Sequence, residues 1–349
     1  MQHRSERYGA IGVLQAGRAL ASTAVLVHHA ALSTKAFVAD VPSWVGKVAE
    51  QSISFNFFFV LSGFIILYVH GRDSKTAESA IIFIYKRITR IFAPYLPIAI
   101  GLMLAYALLP ELSKANRTWG VFSTLTLLPT EKRTALSVAW TLQHELIFYG
   151  LFVSFYFVRR SALVIGLWGA AISIGWMSGA WAMSRFPFLI VAFHPLNLMF
   201  IAGMAAGVIV GRIDDRLWPA PLAIGLLAAI GFLLTRDSLG ARVGFGVAMA
   251  PIIMAFIMLE RDGKIRVPNR LATFGGASYA IYLIHNPLIS LVSRIMGSMN
   301  CWFVTMASGL IASVVAGLAY HLLVERRMGA YFKARVPTLA APWLRLHQA

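Results

Sequence analysis

The chain has only one cysteine and few charged residues. Its single cysteine, Cys301, excludes an intramolecular disulfide and any metal cluster held by several cysteines. Charged residues make up only 13% of the 349 residues, and just 14 residues are Asp or Glu. Hydrophobic residues reach 58%, well above the range of soluble domains. The composition therefore predicts an all-α, polytopic membrane protein.

The sequence also lacks segments that would form a separate soluble domain. The longest gap between apolar runs extends from about residue 110 to residue 135, and we find no internal repeat or low-complexity block. The first apolar run has no small-residue cleavage site followed by a soluble domain, so we interpret it as a retained membrane helix. We expect a transmembrane domain over residues 1–325 and a basic cytoplasmic tail over residues 326–349.

Apolar runs of about 20 residues recur along the chain, and each is long enough to cross a bilayer as a helix. We predict about ten such spans. Their approximate limits are 11–32, 51–70, 91–109, 136–158, 162–182, 188–211, 218–235, 241–259, 272–296 and 301–324. The apolar segment Trp119–Pro129 is too short to span, and we expect it to be re-entrant or interfacial.

Positive charge far exceeds negative charge, and its distribution predicts the topology. The chain has 31 Lys and Arg residues and a net charge of +17. In a membrane protein such an excess marks cytoplasmic loops, so we do not expect nucleic acid as a partner. With ten spans, the segments on the side of the termini hold about twice as many Lys and Arg residues as the opposite side. Both termini are therefore predicted to lie in the cytoplasm.

The first predicted span contains two polar residues that need a physical reason, Arg18 and His29. A charged side chain inside a membrane helix costs roughly 2.5–3.5 kcal/mol on insertion scales. An offset of eleven residues brings a helix back to within about 20° of its start. The two side chains therefore share one face, about 16 Å apart along the axis, whereas His28 falls roughly 80° away.

Two interpretations of this pair are open from the sequence. Arg18 can snorkel towards the cytoplasmic end of the helix, with His29 a structural residue near the outer end. Alternatively, Arg18 binds an anion, and His29 moves a proton or an acyl group.

Two further polar segments lie on or near the next predicted spans. Ser62 and Gly63 are adjacent in the second span, where small residues allow close helix approach. Arg87 and Arg90 precede the third span on the predicted cytoplasmic side and share a helical face. Their forked guanidinium groups suit phosphate binding, and topology and contact with lipid headgroups are the alternative.

The fourth span places a carboxylate in an apolar segment. Glu145 lies one helical turn before Tyr149, so the two side chains share a face. A structural ion pair with an arginine is the alternative to a chemical role for Glu145.

The ninth span carries the fifth of these polar segments. Ser278, Tyr282 and His285 are spaced to lie on one helical face. Buried polar residues that hold helices together are one interpretation of this face. The pair Asn286-Pro287 is expected to kink or end a helical segment.

Taken together, these segments resemble the acyltransferase 3 family of membrane acyltransferases. The family has an Arg, ten residues and a His in its first helix, as Arg18 and His29 do here. Its Phe-Phe-Val-Leu-Ser-Gly-Phe pattern matches residues 58–64, and its Arg-x-x-Arg pattern before Pro-Tyr matches residues 87–95. Residues 140–149 match Trp-(Ser/Thr)-Leu-x-x-Glu-x-x-Phe-Tyr, and residues 278–285 match Ser-Tyr-x-x-Tyr-Leu-x-His.

Two departures from the family are visible. The family often has Leu-Arg or Leu-Asp-Gly-Leu-Arg before the first helix, where this chain has Leu14-Gln-Ala-Gly-Arg18. The chain also has no fused SGNH-type hydrolase domain, which some relatives carry at the C-terminus. We therefore expect it to act alone or with a separate partner for any second transfer step.

The resemblance implies an O-acyltransferase of the bacterial inner membrane. Similar members O-acetylate exopolysaccharide, lipopolysaccharide O-antigen or lipochitooligosaccharide. It implies acetyl-CoA or another acyl-CoA as the donor substrate, with no bound cofactor and no metal. The acceptor would be a lipid-linked or periplasmic carbohydrate. Membrane lipids are the other expected partners, and a homo-oligomer is possible.

The resemblance also suggests roles for individual residues. His29 and Glu145 would be catalytic, with Glu145 orienting His29, raising its basicity or binding the acceptor hydroxyl. The expected donor-binding residues are Arg18, Ser62, Gly63, Arg87 and Arg90. The expected substrate-binding residues are Trp140, Tyr149, Tyr282 and His285.

Two other classes of protein compete with this interpretation. A secondary transporter or polysaccharide flippase would also have about ten spans with buried charge. Against it, the sequence has no repeated pair of interrupted helices, and its charged positions cluster in the first four spans. A sensor or scaffold without chemistry is the weaker rival.

Overall fold

A computed structural model describes residues 12–50, 55–110, 118–235 and 238–336. Over these ranges the chain is helical, with one isolated β-bridge between Trp119 and Arg133 and no strand. The predicted tail beyond residue 336 and the start of the predicted second span, residues 51–54, lie outside the described residues.

The described ranges contain fifteen α-helices, joined in places by short 3-10 turns. They are α1 Gly12–Phe37, α2 Ser43–Glu50, α3 Asn56–His70, α4 Ala77–Leu108, α5 Val121–Thr126, α6 Trp140–Phe152, α7 Ser154–Phe157, α8 Ser161–Met177, α9 Pro187–Ala192, α10 Leu198–Val210, α11 Pro219–Leu233, α12 Leu239–Arg261, α13 Asn269–Met296, α14 Trp302–Tyr320 and α15 Arg326–Ala334. A π-helical stretch, His321–Glu325, joins the last two, so helical structure continues across residue 325.

Long apolar helices confirm an all-α integral membrane protein. Within the described ranges, five segments are long and apolar enough to cross a bilayer. They are Ala77–Leu108, Pro187–Val210, Asp215–Leu233, Leu239–Arg261 and Trp302–Ala334. Every predicted span overlaps at least one helix, and the total of ten remains a prediction. The segment predicted to be too short to span forms only the six-residue helix α5.

Several helix limits differ from the predicted spans, for reasons visible in the sequence. Helix α4 begins fourteen residues before the predicted start at residue 91, because Thr76 caps it and accepts a hydrogen bond from the Ser79 amide at 3.2 Å. The predicted sixth span is divided into α9 and α10 at Pro195, which lacks an amide hydrogen. Helix α13, by contrast, does not end at Pro287.

The chain forms two compact units. The first comprises Met1–Arg72 and Pro195–Val315, and the second comprises Asp73–His194 and Ala316–Ala349. The first unit therefore holds α1 to α3, α10 to α13 and most of α14. The second holds α4 to α9 and α15.

Helices α1 and α13 lie side by side and run in the same direction in the first unit. A Cβ on Gly275 would clash with the carbonyl of Gln15, and one on Gly297 would lie 2.9 Å from the Phe37 carbonyl oxygen. Both contacts join residues 260 positions apart, near opposite ends of the helices. The parallel direction agrees with a first and a ninth membrane span, which an alternating topology inserts the same way.

Helices α3 and α10 cross closely in the same unit. A Cβ on Gly63 would clash with the Phe200 carbonyl, and one on Gly203 would clash with the Val60 carbonyl. Small residues at such crossings let helix backbones meet in a membrane. This contact accounts for Gly63 by packing, which was the default interpretation of the Ser62-Gly63 pair.

Candidate acyl-transfer site

Two histidines from distant parts of the sequence meet between α1 and α13. Nδ1 of His29 lies 2.8 Å from Nε2 of His285, and the ring centroids are 4.9 Å apart. Nδ1 of His285 donates to the carbonyl oxygen of Tyr282 at 2.6 Å. His285 is fully buried at 0% exposure, whereas His29 is half-buried. The pair therefore presents only the His29 ring to any molecule that enters.

A second polar contact joins the same two helices. Nε of Arg18 donates to Oγ of Ser278 at 3.1 Å, and Ser278 is buried at 0% exposure. The polar face predicted on α13 therefore packs against the polar face predicted on α1. This supports the interpretation that Ser278 and His285 hold helices together, and it brings both next to the predicted first-span residues.

The neighbouring histidine has a different environment. Nδ1 of His28 donates to the Val48 carbonyl of α2 at 3.0 Å. His28 thus faces α2 while His29 faces α13, as their angular separation on a helix predicts.

Aromatic side chains line the neighbourhood of the histidine pair. The ring of Tyr282 lies 5.5 Å from that of His285 and 6.1 Å from that of Phe58, measured between centroids. Tyr282 is 9% exposed. Ser62, one turn after Phe58, is half-buried.

The start of α1 is held by a carboxylate that sequence reasoning missed. Oε1 of Glu260 accepts from the Gly12 amide at 2.9 Å, and Oε2 accepts from the Val13 amide at 3.0 Å. A carboxylate at a helix N-terminus satisfies free amides and complements the helix dipole. Glu260 lies in the last turn of α12, far from α1 in the chain, so no local sequence pattern predicts that it caps α1.

The second unit contains the predicted carboxylate and the two arginines. The hydroxyl of Tyr149 donates to Oε1 of Glu145, the helix neighbour one turn earlier. The guanidinium carbon of Arg87 lies 5.6 Å from the Phe83 ring centroid and 5.7 Å from the Tyr149 centroid. Both distances are within cation–π range. Arg90 is exposed on the same helix.

Trp140 belongs to an aromatic cluster in the second unit. Its ring lies 5.7 Å from that of His144, which lies 5.3 Å from His194. The His194 ring in turn lies 4.7 Å from that of Trp181. Sequence reasoning found Trp140 through its motif but gave no role to His144, one helical turn later, and missed Trp181 and His194, which no helical spacing connects to them.

Comparison with known proteins assigns the chain to a family. The model of the acyltransferase 3 family, described as an acyltransferase domain, matches residues 11–322. The chain belongs to the acyltransferase 3 family. It is therefore a membrane acyltransferase, and the resemblance of its five motifs to this family is confirmed.

One relative gives a more specific comparison. The exopolysaccharide production protein ExoZ of Rhizobium meliloti (strain 1021) is 28% identical over 295 residues, which cover 80% of this chain and 89% of that protein. No solved structure matches the chain. The family match covers most of both units, so residues of both units belong to the acyltransferase domain.

Proposed function

We propose that this acyltransferase moves an acyl group, most simply acetyl, from cytoplasmic acyl-CoA to a hydroxyl of an exported polysaccharide or glycolipid. The proposal rests on the contact between His29 of α1 and His285 of α13. These helices belong to the part of the chain that matches the acyltransferase 3 family. The similarity to an exopolysaccharide production protein supports a carbohydrate acceptor.

The reaction requires one group that accepts and returns a proton. In the proposed step, the sugar oxygen attacks the thioester carbon, and the carbon–sulfur bond breaks. His29 takes the hydroxyl proton and returns it to the sulfur of the departing CoA, so that an ester and a free thiol result. A transient acyl-imidazole on His29 is the covalent alternative and gives the same products.

The donor side of the proposal rests on basic residues. CoA carries phosphates, which guanidinium groups bind through paired donors. Arg90 is exposed, whereas Arg87 packs over two aromatic rings. Arg18 lies on the same helix as His29, nearer the predicted cytoplasmic end, and we place it along the donor path.

The acceptor side of the proposal involves aromatic and carboxylate groups. We assign Trp140 and Tyr282 to contact with the sugar, and Glu145, which accepts from the Tyr149 hydroxyl, to contact with a sugar hydroxyl. This assignment agrees with Glu145 entering the fourth span from the predicted outer side. The proposed location is the bacterial inner membrane, with both termini in the cytoplasm.

The test is transfer of labelled acetyl from acetyl-CoA into polysaccharide by isolated membranes that contain the protein. The proposal expects label in the polysaccharide only when the intact protein is present. Movement of polysaccharide across the membrane without incorporation of label would contradict the proposal and favour a transporter.

A further inference from the structure

The family resemblance suggested that His285 binds substrate, but its ring is fully buried beside that of His29. At 0% exposure it offers no surface to a donor or an acceptor, although its Nε2 lies 2.8 Å from His29. We propose that His285 is a positioning residue that fixes which nitrogen of His29 carries the proton. This inference rests on the proposed function of His29 in acyl transfer.

The hydrogen bonds determine where the protons are. A carbonyl oxygen can only accept, so Nδ1 of His285, 2.6 Å from the Tyr282 carbonyl, must carry a hydrogen. In a neutral imidazole the other nitrogen, Nε2, is then an acceptor. His29 must therefore donate to it from Nδ1.

This arrangement of protons determines the state of Nε2, on the opposite side of the His29 ring. With its proton on Nδ1, a neutral His29 keeps the lone pair of Nε2 for chemistry. That nitrogen is the one that accepts the hydroxyl proton or attacks the thioester. The carbonyl of Tyr282, His285 and His29 thus form a chain of three groups that ends in a base.

This arrangement differs from the usual way of orienting a catalytic histidine. In Ser-His-Asp sites a carboxylate accepts from Nδ1 and stabilises the charged imidazolium that forms. His285 supplies an acceptor without a negative charge, so it fixes the tautomer and the ring orientation. We therefore expect it to affect turnover more than the binding of either substrate.

Two substitutions separate positioning from packing. His285→Gln keeps an oxygen acceptor near the position of Nε2, whereas His285→Phe keeps a flat ring without any acceptor. We expect His285→Phe to lower kcat by about 100-fold, with little change in the KM of donor or acceptor. His285→Gln should retain activity within about tenfold of the unmodified protein.

His28 offers a matched control on the same helix. It donates to a backbone carbonyl of α2 and does not bond to His285, so His28→Phe should leave kcat within about twofold. Normal turnover in folded His285→Phe would overturn the proposal. Equal losses in His285→Phe and His285→Gln at equal protein levels would assign His285 to packing and also overturn it.

A spectroscopic measurement reads the tautomer without relying on catalysis. The chain has nine histidines, so nitrogen-15 NMR of histidine-labelled protein in lipid bilayers is feasible, with His29→Ala identifying the His29 signals. Protonated and unprotonated ring nitrogens have well-separated shifts. We expect His29 to be protonated at Nδ1, and His285→Phe to lower the fraction of His29 that is protonated at that nitrogen.

The two measurements distinguish the inference from the function on which it rests. Protonation of His29 at Nε2 rather than Nδ1 would overturn the positioning role, even if labelled acetyl is transferred. A correct tautomer in a protein that transfers no acyl group would instead contradict the proposed function.

Discussion

Nδ1 of His29 and Nε2 of His285 are 2.8 Å apart although 256 positions separate them in the chain. Their contact links the first motif of the sequence to the last one. Helices α1 and α13 also meet through Arg18 and Ser278. We call these two polar contacts, which both lie within the first unit, the polar seam.

The contact between Arg18 and Ser278 should contribute measurably to stability. Ser278→Ala removes a buried acceptor from a charged donor, so we expect a loss of about 1.5–3 kcal/mol in the free energy of unfolding. Thermal unfolding in detergent measures this as a lower midpoint temperature.

A serine just after the end of α13 serves as its control. Ser298 is exposed, and its hydroxyl donates only to the nearby Ile295 carbonyl at 2.9 Å. Ser298→Ala should change the midpoint little. Equal midpoints for Ser278→Ala and the unmodified protein would contradict a stabilising role for the seam.

The carboxylate of Glu260 should hold the start of the helix that carries His29. Glu260→Gln replaces one acceptor oxygen by a donor that faces an amide of α1, so we expect a loss of about 1–3 kcal/mol in stability. Hydrogen exchange at the start of α1 should become faster.

Asp262 gives a matched control two residues away. It forms an ion pair with Lys264 at 2.7 Å, and such pairs at the surface contribute little. Asp262→Asn should leave exchange in α1 unchanged. Faster exchange in both variants would show that Glu260 has no specific effect.

The close crossing of α3 and α10 should not tolerate a side chain. Gly63→Ala places a methyl group against the Phe200 carbonyl, so we expect a loss of about 1–3 kcal/mol from overpacking. Gly231→Ala is the control, because a Cβ there meets nothing within 4 Å and alanine favours helix. If both variants unfold at the same temperature, the crossing is not tightly packed.

Helical periodicity predicts from the sequence which polar residues share a face of one helix, but it does not predict which helices are in contact. The spacing of Arg18 and His29, and of Ser278 and His285, predicted shared faces because helical periodicity fixes angles within one helix. No local rule predicts which helices meet, so the pairing of His29 with His285 was absent from the sequence predictions.

The ends of the helices also depend partly on neighbouring residues and partly on residues far away in the chain. The apolar run predicted a third span from residue 91, whereas α4 begins at Ala77, because Lys86, Arg87 and Arg90 interrupt the apolar run without ending the helix. The carboxylate of Glu260 caps a helix more than 240 positions away, which hydropathy and spacing cannot reveal. The motif residues were found as polar side chains inside or beside apolar spans, and the family resemblance suggested their roles.

The exposed arginine of α4 should affect the donor alone. Arg90→Ala should raise the KM for acyl-CoA by about tenfold, equal to about 1.4 kcal/mol, with unchanged stability. Added salt should reduce the difference, because ions screen exposed charges. Arg87→Ala should also lower stability, since Arg87 packs over Phe83 and Tyr149.

Another exposed arginine tests the specificity of that effect. Arg159→Ala removes an equal charge on the same predicted side of the membrane. It should leave the KM for acyl-CoA near its original value. Equal increases in both variants would indicate general electrostatic attraction rather than a phosphate site.

The central claim is that His29 carries the chemistry of acyl transfer. The most direct measurement is NMR of the polysaccharide from cells that contain either the unmodified protein or His29→Ala at equal membrane levels. We expect acyl signals on the polysaccharide with the unmodified protein and their loss with His29→Ala. Full acylation with His29→Ala would contradict it.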